Sequence, residues 1–94
     1  MKDGKKPQRR KAVALKYKGV EQAAPSIAAK GTGDIAERII KIARENNIPV
    51  KEDPDLVETL SQLDLNQEIP PELYNVIAEV LAWVYRINGK YTSP

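Results

Sequence analysis

Apolar residues recur along this chain in two rhythms. From Lys11 to Tyr17 the larger apolar side chains fall on alternate positions, Val13, Leu15 and Tyr17. That alternation predicts a strand with those three on one face. Gly19 to Pro25 reads as a loop, and Ser26-Ile27-Ala28-Ala29-Lys30 as a short second strand. Gly31-Thr32-Gly33 breaks the chain, after which the rhythm changes. Ile35, Ile39 and Ile42, supported by Ala36, Ile40 and Ala43, follow helical spacing and predict an amphipathic helix. Thr32 or Asp34 is the expected cap, Glu37 and Lys41 pair along the surface, and Asn46-Asn47 ends the helix.

Ile48-Pro49-Val50-Lys51-Glu52 predicts a third strand, with Pro49 at its start or on an edge because proline lacks a ladder donor. Asp53-Pro54 is a helix start, with aspartate as cap and proline in the first turn. Leu56, Val57, Leu60 and Leu63 form the apolar stripe of that helix. Asp64 to Ile69 reads as a loop, and Pro70-Pro71 opens a last helix. There Leu73, Ile77, Val80, Leu81 and Val84 recur at helical spacing, Tyr74, Trp83 and Tyr85 add bulk, and Asn88-Gly89 stops it. Strands alternating with helices predict an α/β fold, a small mixed sheet of about three to four strands packed with about three to four helices. The expected core is Val13, Leu15, Ile27, Ile39, Ile42, Val50, Leu56, Leu60, Ile77, Val80, Leu81 and Val84. Residues 1–10 are expected to be a disordered basic tail, 11–89 one globular domain and 90–94 a frayed end.

At 94 residues the chain supports a single domain with a modest core. It has no cysteine and no histidine, so disulfides, thiolate metal sites and the usual zinc constellations are ruled out. No metal or cofactor is predicted. No apolar run reaches the roughly 20 residues of a membrane helix, and no apolar signal core follows the basic start. The expected location is the cytoplasm, with the inner membrane face as a further option for the tail. Charge is distributed unevenly. Up to Gly19, Lys2, Lys5, Lys6, Arg9, Arg10, Lys11, Lys16 and Lys18 face only Asp3, giving +7 and leaving −5 for the remainder of a chain with net charge +2. Such a tail is either a solvated terminus or an attachment to an anionic surface: lipid head groups, nucleic acid or an acidic protein face.

Local groupings carry little catalytic chemistry. Ser26 and Lys30 have the spacing of a Ser-Lys nucleophile pair, but on a strand they lie too far apart to hydrogen-bond. Gly31-Thr32-Gly33-Asp34 precedes a helix as a phosphate loop does, yet lacks the Lys-Ser/Thr ending, so it reads as a strand-to-helix turn. Asp53, Asp55 and Glu58 suit the helix macrodipole without any cation. Glu79, within the last apolar stripe, faces solvent or the rim of a recess, where Lys30 or Arg86 could pair with it.

An ordered series of motifs runs from Ala12 to Asn88. Ala12-Val13-Ala14-Leu15-Lys16-Tyr17 is followed by Ala24-Pro25, Ala29-Lys30-Gly31 and Ile42-Ala43-Arg44-Glu45-Asn46-Asn47-Ile48-Pro49. Then come Pro54-Asp55-Leu56, Glu68-Ile69-Pro70-Pro71-Glu72-Leu73-Tyr74 and Ala78-Glu79-Val80-Leu81-Ala82-Trp83-Val84-Tyr85. The series resembles the soluble cytoplasmic domain of the FlhB/YscU family, the switch proteins of flagellar and type III export gates. Departures are a loop near Asp64 about one residue shorter, Ser61 where an aromatic is common, and the absence of the family's membrane helices. The initiating methionine and native-looking tail suggest a stand-alone paralogue.

In that family the residues before the first strand read Asn-Pro-Thr-His, and the chain cuts itself between Asn and Pro. The matching positions are Pro7, Gln8, Arg9 and Arg10, so the resemblance implies an uncleaved relative. Cleavage needs an asparagine amide held against its own carbonyl, an orientation worth roughly 7–11 kcal/mol in the best intramolecular systems. Pro7 has no attacking group, Gln8 would need a larger ring and lacks a following proline, and no histidine is present as a helper base. The chain is therefore expected not to be an enzyme. The resemblance further implies an apolar pocket for export substrates at Ala24, Pro25, Ala78 and Leu81. Its implied partners are export-gate components, export substrates or their chaperones. From the residues alone, without the resemblance, Ala78 and Leu81 are better read as plain core. The alternative function is a small nucleic-acid-binding protein with a basic arm, although Tyr17 is the only aromatic of that segment.

Overall fold

The computed structural model describes residues 10–19 and 24–88. Two strands, β1 (Lys11–Lys16) and β2 (Ser26–Thr32), pair antiparallel, and three helices follow: α1 (Asp34–Glu45), α2 (Pro54–Leu60) and α3 (Tyr74–Asn88). A 3-10 turn over Pro71–Leu73 leads into α3. Register runs from Lys11 opposite Thr32 to Lys16 opposite Ser26, with a bulge beside Ala14 and Leu15 that leaves Ala28 as the extra residue of β2.

The sheet has two unlike faces. One carries Ala12, Ala14, Ala29 and Gly31, and α1 lies across both strands on this side with Ala36 wholly buried. Small residues let the helix come close. A Cβ added at Gly31 would stand 2.2 Å from Ile35 Cγ2, so only glycine fits. The other face carries Val13, Leu15, Ile27 and Lys30. There Ile27, Leu60, Ile69, Ile77 and Ala24 form the buried cluster, with Val13, Leu15, Leu56, Leu63, Leu73, Val76 and Leu81 packed against it.

Loop backbone extends the sheet. Asn66 N–H donates to Ile27 O (2.8 Å), Ile27 N–H to Gln67 O (3.0 Å) and Ile69 N–H to Pro25 O (2.9 Å), and Ser26 bridges Glu68. This segment occupies the edge of β2 opposite β1. Asn66 takes a left-handed conformation (φ 68°) to make the approach, which asparagine tolerates better than most residues.

Several sequence expectations need correcting. Among the described residues the sheet has two strands rather than three or four. Residues 48–52 form no strand, because no described neighbour pairs with them; the third row of the sheet is supplied by 66–69 instead. Ile42 is 50% exposed rather than core, since a two-stranded sheet is too narrow to cover the whole apolar stripe of α1. Ile39, Val50, Val80 and Val84 are half-buried, while Ile69, Ala24 and Ala36 are core residues that the spacing did not single out. Gly33, not Thr32 or Asp34, caps α1, with no side-chain bond; its N–H instead donates to Arg10 O at 2.7 Å. Glu37 reaches Arg10 Nε at 3.4 Å.

Other local signals hold. Asp53 caps α2, accepting from Leu56 N–H at 3.2 Å. Asn47 is left-handed (φ 59°) after α1, with Asn47 N–H bonded to Arg44 O and Ile48 N–H to Ala43 O, the two bonds of a Schellman ending.

Candidate functional site

The residues expected to line a recess lie on two pieces of chain that meet at the buried cluster. Ala24 and Pro25 enter β2 and are both buried, Ala24 at 3% exposure. Their burial follows from the 66–69 segment, whose Ile69 N–H holds Pro25 O. On α3, Ile77 points into the cluster, and Leu81, one turn on, is half-buried against it. Ala78, next to Ile77 on the helix, is exposed. Ala24 and Leu81 thus share one packed group, and Ala78 stands outside it at the surface.

Ala78 is flanked along α3 by Tyr74 and Asn75 one turn before it and by Leu81 and Ala82 one turn after. Tyr74, one turn before it, is 43% exposed, and Tyr85, one turn after Leu81, is 48% exposed. Glu79 is exposed. Lys51 Nζ lies 5.8 Å from the ring centre of Trp83, tying the chain before α2 to the far side of α3 by a cation–π contact.

Lys30 does not serve as a rim charge for Glu79 or as a base for Ser26. Its ammonium donates to Ser61 O (3.1 Å) and Leu63 O (2.6 Å), satisfying carbonyls at the end of α2. Ser26 is 4% exposed. Gly31-Thr32-Gly33 is a close strand-to-helix corner, Gly33 at φ 64°. Among the described residues there is no group of acidic, histidine or cysteine side chains that could hold a metal, and no helix is long and apolar enough to cross a membrane.

Of the basic segment, Arg10 and Lys11 are described and paired, Arg10 with Glu37 and Lys11 Nζ with Glu58 at 2.7 Å. Both ion pairs are exposed and add little to stability. Pro7, Gln8 and Arg9 lie outside the described residues, as do the rest of the tail and residues 89–94.

Comparison with known proteins agrees with this architecture. The profile of the "FlhB HrpN YscU SpaS Family" matches residues 9–84. The uncharacterised protein YlqH of Bacillus subtilis is 39% identical over 79 residues, covering 84% of this chain and 85% of that protein. The flagellar biosynthetic protein FlhB of Escherichia coli is 44% identical over 77 residues, but these are 81% of this chain and only 20% of that protein. The chain therefore spans about a fifth of the FlhB proteins it resembles. Among solved structures, the cytoplasmic domain of FlhB from Shewanella putrefaciens superposes with a TM-score of 0.76 at 41% identity, over 80% of this chain and 63% of that one. The PscU C-terminal domain gives 0.72 at 34% identity, over 78% and 94%.

Proposed function

This chain belongs to the FlhB HrpN YscU SpaS family, and we propose that it is a non-enzymatic docking module of a bacterial flagellar or type III export apparatus. It acts like the substrate-specificity domain of FlhB, binding export-gate components or export substrates, and it remains uncleaved. The supporting observation is that the family match runs from residue 9 to residue 84, through every strand and helix up to the last turn of α3. The contact proposed is at Ala24, Pro25, Ala78 and Leu81, and the exposure of Ala78 supports it as the position a partner reaches.

Two experiments test this reading. The first combines a pull-down of export substrates with thermal melting of Ala78→Leu. Lost capture at an unchanged melting temperature is the expected result. A large fall in melting temperature would place Ala78 in the core and remove the docking site, because overpacking a sealed core costs about 1–3 kcal/mol. The second is intact mass after long incubation at neutral to mildly basic pH. The encoded mass is expected, and a discrete break between Pro7 and Lys11 would overturn the uncleaved reading.

A further inference from the structure

The sheet is open where the sequence expected it to continue. Gly33 N–H bonds to Arg10 O, which fixes the alternation along β1: the backbone groups of Ala12 and Ala14 face β2, and those of Lys11, Val13 and Leu15 face away. Leu15 confirms the phase independently. Its partner Ile27 spends both backbone groups on Asn66 and Gln67, so Leu15 opposite Ile27 is a non-hydrogen-bonded pair. Among the described residues nothing pairs with this outer edge of β1.

Residues 49–52 are unpaired as well. Ile48 N–H closes the end of α1 and Asp53 opens α2, but between them Val50, Lys51 and Glu52 make no backbone hydrogen bond among the described residues. Pro49 and Val50 are nonetheless half-buried. The path of the chain brings this segment toward the open edge. From β2 it crosses one face as α1 and reaches the opposite face as α2. Residues 46–53 therefore pass around an edge of the sheet, and the 66–69 segment already fills the edge beside β2. The following helix, α2, lies against β1, where Lys11 Nζ meets Glu58.

We infer that the outer edge of β1, with residues 49–52 beyond it, is a seat for one extended segment of a partner polypeptide, added as a strand antiparallel to β1. Strand addition satisfies the free groups of Lys11, Val13 and Leu15 and takes its specificity from alternate side chains. The incoming strand has small residues on the α1 side, beside Ala12 and Ala14, and larger apolar ones on the other, beside Val13 and Leu15. Charge selects its ends. Lys16 stands at one end of the apolar centre of β1 and Arg10 and Lys11 at the other, the latter two in exposed, weak ion pairs with Glu37 and Glu58, so acidic residues suit both ends of the donor. A second copy of β1 is a poor occupant, because antiparallel self-pairing through the outward groups, centred on Val13, sets Arg10 against Lys16.

This inference does not depend on the export reading and is tested without export proteins. The probe is a synthetic peptide, Glu-Val-Ala-Val-Ala-Val-Glu, with two controls: lysine in place of both glutamates, and N-methylation of alternate amides. The readout is residue-resolved amide hydrogen exchange of the full chain. In the free protein the amides of Val13, Leu15, Val50 and Lys51 are expected to exchange rapidly. The acidic peptide should slow Val13 and Leu15 at least tenfold, the N-methylated peptide should not, and the lysine peptide should bind several-fold more weakly. Val13→Pro removes an outward donor without removing a β1–β2 bond and should abolish the protection. If that variant is unstable, Val50→Pro, which breaks no bond of the free protein, should weaken binding. Unchanged exchange at Val13 and Leu15 at saturating peptide, equal binding of all three peptides, or slow exchange there through concentration-dependent self-association would each overturn the proposal.

Discussion

The two faces of the β1–β2 sheet solve the same problem with opposite means. Under α1 the strands offer Ala12, Ala14, Ala29 and Gly31, so the helix backbone approaches closely and little volume is needed to fill the gap. Under α2 and α3 they offer Val13, Leu15 and Ile27, which meet Leu60, Ile69 and Ile77 in a cluster built from large side chains. The first face is limited by clearance and the second by volume. Removing atoms should damage the second, and adding them should damage the first.

The largest expected effect comes from deletion in the volume-limited face. Ile27→Ala, at a side chain with 0% exposure, should cost about 2–5 kcal/mol by chemical denaturation. Val substituted for Ala36, the wholly buried residue of the clearance-limited face, should be destabilising as well, and Gly31→Ala should cost about 1–3 kcal/mol because its new methyl meets Ile35. If Gly31→Ala instead proved neutral, α1 would be free to move away from the sheet and the contrast between the faces would fail. Next in size, Lys30→Met keeps the stem of the side chain and removes the ammonium that serves Ser61 O and Leu63 O. A loss of about 1–3 kcal/mol is expected for bonds made by a charged donor. Asp53→Ala removes the cap of α2 and should cost roughly 1 kcal/mol. The smallest effect belongs to Ile42→Gln, on the part of α1 that the narrow sheet leaves uncovered. It should stay within about 0.5 kcal/mol of the parent.

The contrast also explains what could be seen in the sequence. Strand β1 and the three helices were legible because each carries its own period and its own punctuation, such as Asp53-Pro54 and Asn46-Asn47. The clearance-limited face was not, because alanine and glycine carry little hydrophobic rhythm; Ala36 only supported the helical spacing set by Ile35, Ile39 and Ile42, yet it is the residue of α1 that is completely buried. Ile69 was missed for a different reason. It sits between Glu68 and Pro70 in an aperiodic loop, and its burial is set by backbone pairing with Pro25. Residues 48–52 have the composition of a strand, but composition cannot supply a neighbour. For the candidate site, the sequence placed Ala24 and Pro25 beside the entry to β2, yet only the fold separates exposed Ala78 from half-buried Leu81.

The pairing of Pro25, Ser26 and Ile27 with residues 66–69 sets the order in which the chain assembles. The β1–β2 hairpin and α1 are built from neighbours in sequence, so they can form before the rest of the chain is engaged. The 66–69 segment must close a loop of some forty residues before its first hydrogen bond returns anything, an entropic cost that grows slowly but comes in advance. Residues 10–48 are thus the natural early-forming half, and docking of α3 through Ile77 waits on that closure. A substitution at Ile69 should therefore act mainly on the unfolding rate, whereas one at Gly31 should slow folding itself.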